Sequence, residues 1–146
     1  MKKLIIASIA LFVGSLIYVF WRSETLTMFI WFERVGLASF VESLRSCTRW
    51  LSMYLPNWFL FSLPNALWLF SGIMVFDSIW GAKRSASKIF WLSVFLMIAF
   101  GAEVGQGLRV LPGTFDWQDM ALMTLASFCA FLIITYVRQE ARRQET

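Results

Sequence analysis

Four apolar runs, at residues 4–21, 58–76, 89–108 and 120–137, are each eighteen to twenty residues long, and only the third contains a charged residue. At about 1.5 Å of rise per residue such a run covers roughly 27–30 Å, the thickness of a bilayer's hydrocarbon core. Each predicts a membrane-spanning helix, because in lipid a segment must satisfy its own backbone N–H and C=O groups. The runs leave no room among 146 residues for a separate soluble domain. The expected fold is therefore all-α: a polytopic integral membrane protein forming one domain over residues 1–146, with spans at about 4–21, 58–80, 89–108 and 120–137.

Composition agrees. Hydrophobic residues make up 59% of the chain and charged residues 15%, whereas a soluble domain has about 45–50% and about 25%. The net charge of +4 is scattered between apolar runs and forms no nucleic-acid-binding face, so no nucleic-acid partner is expected. Histidine is absent, which removes the commonest general base near neutral pH and the commonest transition-metal ligand. Cys47 and Cys129 read as small apolar side chains rather than as a disulfide. Lys2 and Lys3 precede the first run as they would in a signal peptide. That run is longer than an ordinary signal core and is followed by Trp-Arg-Ser-Glu rather than a small-residue cleavage site, so it is expected to remain as a helix.

Basic residues set the expected orientation. With the N-terminus inside, the short inner segments carry Lys2, Lys3, Lys83, Arg84, Lys88, Arg138, Arg142 and Arg143, while the longer outer ones carry Arg22, Arg34, Arg45, Arg49 and Arg109. The positive-inside rule then puts both termini in the cytoplasm. Trp21, Trp58, Trp80, Trp91 and Trp117 fall at or near span ends, where an indole keeps its ring in lipid and its N–H in water. Between the first two spans, Leu37, Phe40, Val41, Leu44, Leu51 and Leu55 recur at helical spacing, opposite Arg34, Glu42, Arg45, Arg49 and Ser52. This predicts one amphipathic interfacial helix over about 35–55, ended by Pro56-Asn57. It serves either as a lid on the bundle or as an apolar surface for a lipid or a partner.

Polar residues inside spans are costly, so their positions are informative. Asp77 lies near the inner end of the second span, close to Trp80 and Lys83, and reads as structural or topological. Glu103 lies one to two turns inside the outer end of the third span, with Gln106 on the same face and Gly101, Gly105 and Gly107 around them. Asn65 reaches a comparable depth on the second span, just after Pro64, whose missing N–H permits a kink. Pro112-Gly113 makes the turn into the last span, and Asp116 and Asp119 suit its first turn, where the helix dipole favours negative charge. Glu103, Gln106, Asp116 and Asp119 are thus expected at one outer mouth, with Asn65 and Arg109 beside them. Four readings stay open: a ligand pocket, a divalent-cation site through Glu103, Asp116 and Asp119, a carboxyl kept protonated by its like-charged neighbours for proton exchange or hydrogen bonding, or a structural lock in which Arg109 pairs with a carboxylate. No other cofactor is expected.

The stretch Glu103-Val-Gly-Gln106 followed by Pro112-Gly-Thr-Phe-Asp116-Trp-Gln-Asp119 resembles the VanZ-like family of small bacterial membrane proteins. Leu63-Pro-Asn65-Ala-Leu-Trp-Leu-Phe-Ser-Gly72 is similar to that family's preceding apolar helix with its polar position. Where many members have an arginine in the turn this chain has Thr114, and where they have an asparagine one turn into the last helix it has Met123. The resemblance implies a bacterial inner-membrane protein of the cell envelope and, as in the namesake, an effect on teicoplanin susceptibility. The leading expectation is a protein that binds a lipid or lipid-linked envelope component at the acidic outer mouth, a binding protein rather than an enzyme. Its rivals are a subunit of a larger membrane complex docking through segment 35–55, and a small enzyme acting on lipid-linked phosphates; a homo-oligomer is a further expected partner, because four short helices enclose little volume.

Overall fold

The computed structural model describes residues 2–24, 26–81 and 85–144, except the side chains of Ala141, Arg142 and Gln144. Lys83, Arg84 and the Arg142 side chain, three of the basic groups used to orient the chain, lie outside the described residues. Among the described residues every element is helical. The α-helices are α1 (Lys2–Trp21), α2 (Thr27–Arg34), α3 (Ala38–Thr48), α4 (Leu63–Trp80), α5 (Ala86–Gly107) and α6 (Trp117–Gln144). A 3₁₀ segment, Arg49–Met53, follows α3, and a π-helical turn, Trp58–Ser62, leads into α4.

Lys2–Trp21, Trp58–Trp80, Ala86–Gly107 and Trp117–Glu140 are long and apolar enough to cross a membrane. Their ends follow local chemistry. The Ser85 hydroxyl accepts the Lys88 amide at 3.2 Å, starting α5 before the apolar run begins. Asp116 accepts the Gln118 amide at 2.8 Å and starts α6 at Trp117. Pro64 has no N–H for the carbonyl four residues back, and the wide turn before it, in which the Leu63 N–H reaches Trp58 O, makes room for the proline ring.

The central element is α4, with α1 and α6 packed along it and α5 held more loosely. Ala7, Ala10, Gly14 and Ile17 form the buried stripe of α1, and the first three are small enough to let two helices approach closely. Leu69, Ile73 and Met74 of α4 meet Met123, Ala130 and Ile134 of α6 in the core. The outer faces are apolar: Phe12, Ile79, Met97, Ile98 and Phe128 are all at least 60% exposed. A water-soluble bundle would turn such side chains inward.

Both buried side chains of α5 are charged: Lys88 near its start and Glu103 near its end, about 22 Å apart along the axis. Lys88 belongs to a cluster at the end of the bundle that holds the beginning of α1 and the end of α6. There Asp77 of α4, only 2% exposed, accepts Lys3 of α1 at 2.5 Å on one oxygen and Lys88 of α5 and Arg138 of α6 on the other. Each of the other three long helices thus sends one cation to the single carboxylate of α4. Asp77 is a tertiary hub, and its expected neighbour Lys83 is outside the described residues.

Within the segment expected as one helix over about 35–55, the chain is helical from Ala38 to Met53, as α3 and then the 3₁₀ segment, and a separate short helix, α2, precedes it. Gly36 adopts φ +75°, with the Leu37 N–H on Phe32 O at 2.8 Å and the Gly36 N–H on Glu33 O at 3.1 Å. This left-handed stop ends α2, and α3 starts afresh at Ala38. The docking face differs from expectation. Val41 and Arg45, one turn apart, are the buried residues of α3, while Phe40 is 61% exposed. Arg45 is drawn inward because the last carbonyls of α1 lack helical partners: its guanidinium donates to Val19 O at 2.6 Å and Arg22 O at 2.8 Å, and sits over the Phe29 ring. The Trp21 indole N–H adds a bond to Thr48 O at 3.0 Å.

Candidate functional site

At the opposite end from the Asp77 cluster, the polar residues singled out in the sequence meet around one open cavity of about 480 Å³. Asn65, Glu103, Gln106, Asp116 and Asp119 all line it. Three helices bring them there: the first turn of α4 supplies Asn65, the last two turns of α5 supply Glu103 and Gln106, and Asp116 and Asp119 come from the cap and first turn of α6. The α5–α6 connection folds back onto α5 at Gly113, where φ is +131° and a Cβ would collide with the Gln106 amide. Glycine suits that φ, which residues with a side chain rarely adopt, and the Gln106 amide packs into the space it leaves.

The cavity's hydrogen bonding is incomplete. Asn65 Nδ2 donates to one oxygen of Asp119 at 3.2 Å, and the other oxygen is buried without a donor. Glu103 is 7% exposed; its carboxyl lies within hydrogen-bonding reach of that of Asp119, and its Oε2 is buried with no partner. A buried acceptor left unpaired costs about 1–3 kcal/mol, and more when charged. Two such oxygens, on residues that line one cavity, leave a demand for hydrogen-bond donors. Asp116 is differently placed, since one of its oxygens caps α6.

Arg109, expected in this group, is not part of it. It is exposed and adopts φ +58°. The Val110 N–H bonds Gly105 O at 2.9 Å, so Arg109 occupies the left-handed stop of α5, a place usually given to glycine. The cation at the cavity is Arg22, which follows the last residue of α1. Its guanidinium lies 5.3 Å from the Tyr18 ring centre and 5.2 Å from that of Phe61, and its Nε is buried without a partner. Sequence reasoning missed Arg22 because it is far from the motif. Its signal was an arginine directly after a span-ending tryptophan on the side poor in basic residues.

A second space of about 470 Å³ adjoins the first and shares Arg22, Asn65, Glu103 and Gln106 with it. It continues between α4 and α5 along Trp68, Leu69, Phe95, Ile98 and Ala99, with Met123 of α6 also lining it. The site is therefore an amphipathic slot, with carboxylates and one guanidinium at the mouth and an apolar groove below. Among the described residues no group of three or more carboxylate or thiol side chains is arranged to hold a metal ion. No family model matches this chain, and no curated protein or solved structure is significantly similar to it.

Proposed function

We propose that this chain is a four-span membrane protein that holds a phospholipid in the α4–α5 slot, in the outer leaflet of a bacterial inner membrane, with both termini in the cytoplasm. The acyl chain lies against Trp68, Phe95 and Ile98, and the headgroup rests in the mouth. An ammonium-bearing headgroup answers the mouth best, its amine donating to Glu103 and Asp119 while its phosphate meets Arg22. The observation that carries this reading is the pair of buried carboxylate oxygens without donors at the polar end of an apolar groove. The apolar outer faces of the four helices support the membrane setting, and Lys3, Lys88 and Arg138 at the end shared by the termini support the orientation. Arg22 and Thr114 line the same cavity, so Arg22 offers a cation beside the turn where VanZ-like relatives carry an arginine. An envelope role follows from that resemblance.

The test is native mass spectrometry of the purified chain from a neutral detergent with phosphatidylethanolamine. Wild type is expected to retain the lipid, and Glu103→Gln with Asp119→Asn to lose it without loss of helicity. Because Glu103 Oε2 is unpaired, these variants should be no less stable than wild type. Equal retention by wild type and the double variant would refute the slot as a headgroup site.

A further inference from the structure

The Asp77 cluster carries more positive charge than its carboxylate balances. Lys3, Lys88 and Arg138 all donate to Asp77, and among the described residues no second acidic side chain pairs with them. The three cations are layered by exposure. Lys88 is nearly buried at 9% and is further occupied by Gly81 O at 2.8 Å, forming a floor with Asp77. Lys3 and Arg138, at 17% and 28%, form a rim open to the outside. Arg138 Nε is buried and has no acceptor. A lysine ammonium has three donors and a guanidinium five, so both rim groups retain donors that Asp77 does not use. Around them the helices expose apolar side chains, Leu4 and Ile5 beside Lys3 in α1 and Tyr136 near Arg138 in α6.

We propose that this cluster binds the phosphate of an anionic phospholipid in the leaflet on the side of the termini. The phosphate oxygens accept from Lys3 and Arg138, and the acyl chains lie along the exposed apolar faces of α1 and α6. Basic recesses between spanning helices on the cytoplasmic side are a recurrent way of holding anionic headgroups. The phosphate supplies the negative charge that Asp77 alone does not, and the apolar flanks favour a lipid over free phosphate. This site is independent of the α4–α5 slot, shares no residue with it and selects the opposite headgroup charge.

The test uses the full chain in a neutral detergent, with phosphatidylglycerol and phosphatidylcholine supplied in equal amounts and bound lipid read by native mass spectrometry. Wild type is expected to prefer phosphatidylglycerol about tenfold or more, and Lys3→Gln and Arg138→Gln each to lower that preference about fivefold, the worth of one basic residue at an anionic surface. Inorganic phosphate is expected not to displace the lipid. Equal retention of both lipids by wild type, or an unchanged preference in the variants, overturns the proposal. Displacement by inorganic phosphate overturns the assignment to a lipid. Lys3→Gln lies in the first turn of α1 and leaves Asp77 two cations, so it decides the question even if Arg138→Gln does not fold.

Discussion

Asp77→Asn removes one negative charge, keeps the side-chain shape and strands three cations at once. At a separation of about 4 Å and an effective dielectric constant near 20, each contact contributes about 4 kcal/mol of gross attraction. Much of this is offset by the several kcal/mol needed to desolvate each buried ion and by repulsion among cations sharing a carboxylate. Removing one partner of a buried pair typically costs about 3–5 kcal/mol, because the remaining charge has nowhere to go. Here Lys3 and Arg138, at 17% and 28% exposure, can turn toward water, whereas Lys88 at 9% cannot. The net loss therefore falls near about 4 kcal/mol. At roughly 2–4 °C per kcal/mol for a chain of this size, the unfolding midpoint should drop by about ten degrees. Thermal unfolding followed by circular dichroism in dodecyl maltoside reads this directly, whereas dodecyl sulfate would supply anions to the cluster and mask it. Adding Lys88→Met to Asp77→Asn removes the most buried stranded charge and should recover about half of the drop. A drop below about 2 °C in the single variant, or a further drop in the double variant, would refute Asp77 as the hub that ties α1, α5 and α6 to α4.

Two further outcomes test the packing and the correction at Arg109. In Gly72→Ala the new Cβ would collide with the Phe95 ring, forcing α5 from α4 at a cost of about 1–3 kcal/mol; a lower midpoint, partly restored by Phe95→Leu, is expected from the same melts. Arg109→Gly relieves a left-handed residue at φ +58° and should stabilise the chain by about 1 kcal/mol. The same variant should leave phosphatidylethanolamine retention unchanged in native mass spectrometry, because Arg109 does not line the slot.

The helical class and the four long apolar helices were legible because run length and hydropathy are properties that each segment carries by itself. The mouth was legible for a related reason. Asn65, Glu103, Gln106, Asp116 and Asp119 sit at corresponding depths at helix ends, so depth counting brought them to one level. Arg22 escaped because depth does not say which helices are neighbours. Segment 35–55 is helical over most of its length, but its buried face includes Arg45 and leaves Phe40 outside. A left-handed glycine, Gly36, sets where that helix starts, and unsatisfied carbonyls at the end of α1 drew an arginine inward in place of Phe40.

Sequence alone determined the chain's four long apolar helices, the absence of histidine and the level at which each polar residue sits, since these depend on residue type and rise per residue. Only the tertiary structure decided that α4 is central, that Asp77 gathers a cation from every other long helix, and that Glu103 and Asp119 face each other above an apolar groove. Those facts rest on helix rotation and neighbour choice. Both are set by side-chain packing and by partners dozens of residues away, which no local periodicity records.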